Sequence, residues 1–406
     1  MIDLTRLIHG LDNRPDATRY EREFDDDALI PLVVWNTTPA CNLACKHCYF
    51  GACDERSSDE FSTAEAKDFI DDLADANVPV LVFSGGEPFV REDLTELTAY
   101  ARDRGVRTIA SSNGTFLTPE RAQAVADAGM RYVGVSLDGV GETHDRFRGL
   151  EGSFDRAVAG LENARDAGMG TGIRMTMTES TVDDVPEIID LALELDVDRV
   201  NIFHLIYTGR GGDITDRDLS FERTREILDY LYERTRALAH THPDLQVLTA
   251  GNYADAVYLY RKIEREMPDR AERARELLFD DGPGRVVKKG DAGPKVVNVD
   301  HQGNVHPSMF LPQFTIGNVR DQSLGTILEE SDMWSKLANP TDHLKGRCAE
   351  CPYKAVCGGN SRARAYAIHG DLWAPDPRCY LTEDERRIES TNAADDRPSI
   401  ARTGGD

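Results

Sequence analysis

Six times between residues 32 and 205 a short β-rich run gives way to an amphipathic helical stretch, and few folds accommodate that rhythm. The runs fall at 32–37, 79–84, 107–112, 132–136, 171–177 and 199–205. Val, Ile and Phe dominate several of them, which suits strands buried on both faces of a parallel sheet. Helix-start signals stand between the runs. Ser62, followed three residues on by Glu65, makes a capping box. Thr118-Pro119 sets a hydroxyl N-cap before a proline at the first helical position. The stretch 182–195 repeats its apolar residues at close to helical spacing. Six βα units predict an α/β fold built on a partial (β/α)6 TIM-type barrel, with its chemistry on loops at the C-terminal strand ends.

The remainder divides by composition. Residues 1–30 read as an N-terminal extension and 31–219 as the barrel. Residues 220–294 read as a helical connector that ends in a Gly/Lys-rich linker. Residues 295–391 read as a C-terminal cysteine-bearing module, opening on a hairpin with Gln302-Gly303-Asn304 at its turn. The polar stretch 392–406 reads as a disordered tail.

The formal net charge is −25, and only nine of the 47 basic residues are Lys. So acidic a surface repels nucleic acid and anionic lipid, and neither is expected as a partner. An acidic, Lys-poor chain points to adaptation to high salt, where a Debye length of roughly 3 Å at about 1 M screens self-repulsion. No run of eighteen apolar residues occurs, so no membrane-spanning helix is expected. Residues 1–20 lack the basic-then-apolar layout of a signal peptide, and a cytoplasmic location is expected.

Eight cysteines fall mostly into two sets, at opposite ends of the chain. In an intracellular protein, clustered cysteines point to metal before disulfide. Cys41, Cys45 and Cys48 have C-x3-C-x2-C spacing and follow the first strand. Three thiolates can hold three irons of a four-iron cube and leave the fourth open. A structural zinc site, the other reading, normally takes four ligands in paired short spacings. The second strand ends in Phe83-Ser84-Gly85-Gly86-Glu87-Pro88. Paired glycines let backbone approach a bound ligand without a Cβ clash, although they also make ordinary turns.

With these two motifs, residues 31–205 resemble the radical S-adenosylmethionine (SAM) superfamily. The resemblance implies a [4Fe-4S] cluster on Cys41, Cys45 and Cys48 whose open iron chelates SAM. It implies one-electron cleavage of SAM to a 5′-deoxyadenosyl radical that abstracts hydrogen. It further implies SAM contacts at Gly85, Gly86, Glu87, Ser112, Asn113, Ser136 and Asp138. Arg148 would pair with the SAM carboxylate, for which a planar guanidinium fork is suited. The plainer reading of Arg148 is a surface ion pair.

Cys348, Cys351, Cys357 and Cys379 follow C-x2-C-x5-C-x21-C. Four thiolates fit a second cube or a zinc ion. The pattern resembles the SPASM extension of radical SAM enzymes, which implies an auxiliary [4Fe-4S] cluster. Fuller SPASM patterns carry more cysteines; here Ser308 follows His306-Pro307, and Asn360-Ser361 follow Gly358-Gly359. One auxiliary cluster is therefore expected. Cys53 is left over as a plain thiol.

Several stretches, above all 357–367 and 376–379, resemble the branch that remodels siroheme-derived tetrapyrroles. The resemblance implies an iron tetrapyrrole substrate and an electron donor such as ferredoxin or flavodoxin. Within the branch, the chain looks like the didecarboxysiroheme deacetylases, which remove acetates to give Fe-coproporphyrin. That reading is preferred because a heme pathway is needed more widely. The heme d-one precursor synthases, acting on propionates of the same substrate, are the alternative. The decarboxylating heme synthases look less close, because their triplet is not typically followed by a pair like Tyr49-Phe50. A peptide maturase would need more than the thirty or so residues that precede the first strand. A non-enzymatic electron carrier would not need the SAM motifs. A polyanionic substrate needs local cations, and Arg210, Arg362 and Arg364, with Tyr366 beside them, are the expected contacts. His204 and His306 are candidates for the substrate iron, although a lone His is more often structural.

Overall fold

The computed structural model describes residues 1–11, 31–280, 286–287 and 296–387. Residues 12–30 of the expected N-terminal extension, nearly all of the expected linker at 281–294 and the expected tail at 392–406 lie outside the described residues. The strands are β1 (Ile2–Asp3), β2 (Leu32–Asn36), β3 (Val80–Ser84), β4 (Arg107–Ser112), β5 (Tyr132–Ser136), β6 (Gly170–Met177), β7 (Arg199–His204), β8 (Gln246–Ala250), β9 (Val296–Val299), β10 (Asn304–His306) and β11 (Gly317–Asn318). Strands β2 to β7 match the six runs read from the sequence to within one residue at either end.

The eleven strands among the described residues join one sheet, in the order β1-β8-β7-β6-β5-β4-β3-β2-β9-β10-β11. From β9 through β2 to β8 every pairing is parallel, giving a partial barrel. Three features depart from the expectation. The stretch 220–294 is not only helical, because β8 lies within it and extends the parallel sheet. The hairpin of the cysteine-bearing segment is not a separate layer, because β9 pairs with β2 from Leu32↔Val296 to Trp35↔Val299. The first residues also belong to the barrel, with β1 antiparallel to β8 at the far edge.

Helix starts follow the local chemistry. Ser62 and Glu65 form the full capping box of helix Thr63–Asp75. Thr118 accepts from the Arg121 amide and starts helix Pro119–Ala128.

Strand periodicity sorts side chains to two faces. Val33, Trp35, Leu81, Phe83, Ala110, Val133, Val135, Ile173 and Met175 belong to the large helix-covered core. Leu32, Val34, Val80, Val82, Ile109 and Tyr132 form a second, smaller core on the inner face. Each such side chain stabilises the fold by about 1.5–3 kcal/mol on full burial. The inner core plugs only the N-terminal half of the barrel. There Arg199 lies over the Tyr132 ring at 5.1 Å, and Gly172 leaves room for the Tyr132 hydroxyl, which any Cβ would strike. Toward the C-terminal strand ends the inner face turns polar, and the loops bearing the first cysteines lie there.

Candidate functional site

The loop after β2 is laid directly on the end of β3. Gly86 N–H donates to the Thr38 carbonyl at 2.7 Å and Glu87 N–H to the Ala40 carbonyl at 2.8 Å. A Cβ on Gly86 would collide with the Ala40 carbonyl, and one on Gly85 would stand 2.6 Å from the Thr38 oxygen. The glycine pair thus admits the chain's own cysteine loop. Cys53 closes the loop through its backbone: its carbonyl accepts from Cys41 N–H at 2.6 Å, and its N–H donates to Pro39 at 3.0 Å. Its thiol is exposed.

Glu87 is fully buried. It accepts from Phe89 N–H at 3.1 Å, Ser112 Oγ at 2.8 Å and Asn113 N–H at 2.7 Å. Its carboxylate ties the β3 end to the β4 end. Burial, opposed by these hydrogen bonds, pushes its carboxyl up to about 7.

Polar groups surround the first thiols. Asn113 Nδ2 donates to Asn42 Oδ1 at 2.9 Å and lies 3.7 Å from Cys41 Sγ. Arg148 Nη1 donates to Cys45 Sγ at 3.4 Å, and its Nη2 pairs with Asp138 at 2.6 Å. Arg148 is a buried ion pair and not the surface pair that was its plainer reading. Burial disfavours charge on Asp138, yet Arg148 and then His47 hold its carboxyl below the usual range. His47 stacks on Phe147 at 4.8 Å and lies 3.4 Å from Asp138. Burial pushes the His47 imidazole down to about 4, so it is neutral. Ser136 ends β5, half-buried on the same rim.

Burial pushes the Cys41 thiol up to about 12, with Cys45 and Cys48 near enough to add to the rise. Burial likewise raises Cys45, against the pull of Arg148. Such thiols are poor free nucleophiles. Soft sulfur donors carried on one loop with a cation beside them are of the chemistry that an iron–sulfur cluster takes. In the second set, burial pushes Cys357 up to about 12, and Cys379, Cys348 and Cys351 all lie close enough to raise it further. Burial raises Cys348 and pushes Cys379 up to about 11. The four thiols, from three short segments, therefore share one neighbourhood, although among the described residues no three Cys, His, Asp or Glu side chains are grouped tightly enough to hold a metal ion.

The expected substrate contacts fare differently. Arg210 is pinned to the cysteine loop: Nε donates to Cys45 O and Nη1 to Ala52 O, each at 2.8 Å. It braces the loop rather than reaching outward. Arg362 is 2% exposed and donates to the carbonyls of Leu372, Ala374 and Gly359. Arg364 is 0% exposed, forked onto Asp376 at 3.1 and 2.8 Å and bonded to Leu205 O at 3.0 Å. Both stitch the cysteine-bearing segment together and cannot serve as clamps. Tyr366 is half-buried, edge-on to Phe314 at 4.9 Å. His204 is held by Asp255 at 2.9 Å, and Tyr380 donates to the other oxygen of that carboxylate. His306 lies between Phe314 O at 3.1 Å and Asp300 at 3.3 Å. Both histidines are satisfied structural residues.

The polar layer inside the barrel mouth was missed. Tyr49, directly after Cys48, donates to Asn36 Oδ1 at 3.0 Å and lies 3.2 Å from Ser84 Oγ. Burial pushes the Tyr49 phenol up to about 12, against the nearby positive charge of Arg174. Arg174 itself donates to Ser111 Oγ and lies over the Phe203 ring at 5.5 Å. The signal was present: in β6, Gly172, Arg174 and Thr176 alternate with Ile173, Met175 and Met177.

The model of the radical SAM superfamily matches residues 35–192. The Fe-coproporphyrin III synthase of Methanosarcina barkeri is 41% identical over 400 residues, covering 95% of this chain and 98% of that protein. The chain belongs to the radical SAM superfamily. Pre-heme d1 synthase of Dinoroseobacter shibae is 37% identical, covering 94% of this radical SAM chain and 93% of its own. The AdoMet-dependent heme synthase of Methanosarcina barkeri is 35% identical, over 86% and 95%. Among solved structures, anSMEcpe with bound AdoMet has a TM-score of 0.65 at 17% identity, covering 86% of this chain and 94% of that one, a likeness of fold. Membership makes the protein a SAM-dependent enzyme, and it implies a [4Fe-4S] cluster and SAM.

Proposed function

We propose that the enzyme removes acetate side chains from didecarboxysiroheme to give Fe-coproporphyrin. The carrying observation is the 41% identity to a Fe-coproporphyrin III synthase along nearly the whole of both chains. The runner-up is synthesis of the heme d-one precursor, favoured by 37% identity over a similar span.

Cys41, Cys45 and Cys48 would hold the SAM-binding cluster, and Cys348, Cys351, Cys357 and Cys379 an auxiliary [4Fe-4S] cluster. When bound, the first cluster and SAM would supply one-electron cleavage and a 5′-deoxyadenosyl radical. The chain's own residues would do the rest. Gly85 and Gly86 would keep the cysteine loop seated and offer backbone to SAM, with Ser112, Asn113, Ser136 and Asp138 around it. Glu87 would act through the backbone it ties. Arg148 would stabilise thiolate at Cys45 and neutralise a carboxylate beside Asp138. Neutral His47 and Phe147 give that pocket an apolar wall. A ferredoxin- or flavodoxin-type donor, a cytoplasmic setting, no nucleic-acid partner and high-salt adaptation belong to the same reading, supported by composition. Among the described residues no helix is long and apolar enough to cross a membrane.

The test is an anaerobic reaction of cluster-loaded enzyme with SAM, a reductant and didecarboxysiroheme, followed by mass. Loss of two acetate groups supports the reading. An oxo-substituted product moves the enzyme to the runner-up. No change in the tetrapyrrole retires both.

A further inference from the structure

We propose that an aromatic shelf, running from Tyr49 through Phe310 to Phe314 and Tyr366, receives one flat face of the tetrapyrrole macrocycle. The inference rests on the tetrapyrrole reading and names the surface that recognises that substrate. A radical formed beside Cys48 can abstract hydrogen only from a carbon held next to it, so the substrate must lie against the side chains that adjoin that thiol. A macrocycle carries its charges at the rim and an apolar π-face at the centre. The face is best read by immobilised rings.

The segment that follows β10 builds the shelf. Met309 packs on the inner core that plugs the barrel, so this segment lies over the plug. The next side chain, Phe310, meets the Tyr49 ring edge-on at 5.5 Å, and Tyr49 is joined directly to Cys48. Phe310 and Phe314 share one apolar cluster with Leu311, with Tyr366 and with Ile206 from the loop after β7. Tyr366, on helix Arg362–His369, stands edge-on to Phe314 at 4.9 Å. Leu311 is 0% exposed and forms the base, whereas Phe310, Phe314 and Tyr366 are half-buried. Edge-on contacts fix the rings and leave part of their surface open, so little freedom is lost when a flat ligand stacks on them. Their side chains are uncharged and set no carboxylate against a polyanion. Continuity with Tyr49, one residue from the Cys48 thiol, favours substrate over a second copy of this chain as the occupant.

The test uses full-length, cluster-loaded protein, titrated anaerobically with didecarboxysiroheme and with Fe-coproporphyrin III and read by absorbance. If wild type binds neither, the tetrapyrrole reading falls and the shelf with it. If it binds them, Phe310→Ala and Phe314→Ala should each weaken both ligands by roughly tenfold, because both present a flat face. Ile368→Ala is the control: Ile368 is 50% exposed and lies two residues past Tyr366, roughly half a turn round the helix, and its loss should change nothing. Equal weakening by Ile368→Ala would mean adsorption to any apolar surface and overturns the shelf. Weakening confined to one ligand would mean contact with rim groups and also overturns it. Unchanged affinity in both Phe variants overturns the shelf while the tetrapyrrole reading stands; if those variants instead split a dimer in sedimentation, the face belongs to a second copy. Should the Ala variants not fold, Phe310→Leu and Phe314→Leu decide, with a loss of about threefold expected and unchanged affinity again overturning the shelf.

Discussion

Gly86 and Ala40 touch backbone to backbone, with no room for a Cβ on the glycine side. The loop that carries Cys41, Cys45 and Cys48 is therefore seated by a missing side chain. Gly86→Ala should lift that loop at a cost of about 1–3 kcal/mol in stability, as overpacking does. The same variant should lose iron from the first cysteine set while keeping the second. Iron analysis with a thermal melt reads both effects.

Glu87 titrates near 7 in the fold and near 4.5 outside it, because burial outweighs its three hydrogen bonds. A raised folded-state value means the stabilising contribution is full below about pH 4.5 and is lost as pH rises through about 7. The swing is of the order of 3 kcal/mol. Glu87→Gln, which keeps the shape, should flatten the decline in melting temperature between pH 5 and 7. A variant that declines as wild type does would move the titration elsewhere.

Arg364 and Asp376 form a fork with neither partner exposed, and Asp376 also accepts from Ser361 N–H and Arg378 N–H. Asp376→Asn takes the carboxylate out of that buried fork. It should cost about 3–5 kcal/mol. The loss should appear in chemical denaturation and in depleted iron at Cys348, Cys351, Cys357 and Cys379.

Cys53 contributes its backbone to the loop and leaves its thiol outside. Cys53→Ser should keep the full iron load, about eight per chain if both sets hold four-iron cubes. Replacing Cys41, Cys45 and Cys48 together should remove about half of it. Equal loss in both variants would make Cys53 a ligand.

Strands β2 to β7 were legible because continuous Val, Ile and Phe runs have little choice but a doubly covered sheet. β8 was not, because five residues between long helices leave too short a pattern, and two-residue β1 leaves none. The two cysteine sets were legible from spacing. The arginines were not. Sequence marks Arg362 and Arg364 as cations but not that carbonyls and Asp376, folded back from later in the chain, would enclose them. Arg174 was readable as a charge on an alternating strand, yet its reach depended on Gly134, one strand away.

The most direct test of the central claim is 5′-deoxyadenosine release from reduced, cluster-loaded enzyme supplied with SAM. Wild type and a variant lacking Cys348, Cys351, Cys357 and Cys379 should both release it, and Cys48→Ala should not. No 5′-deoxyadenosine from iron-loaded wild type, or equal release from Cys48→Ala, would contradict the assignment of the first three thiols.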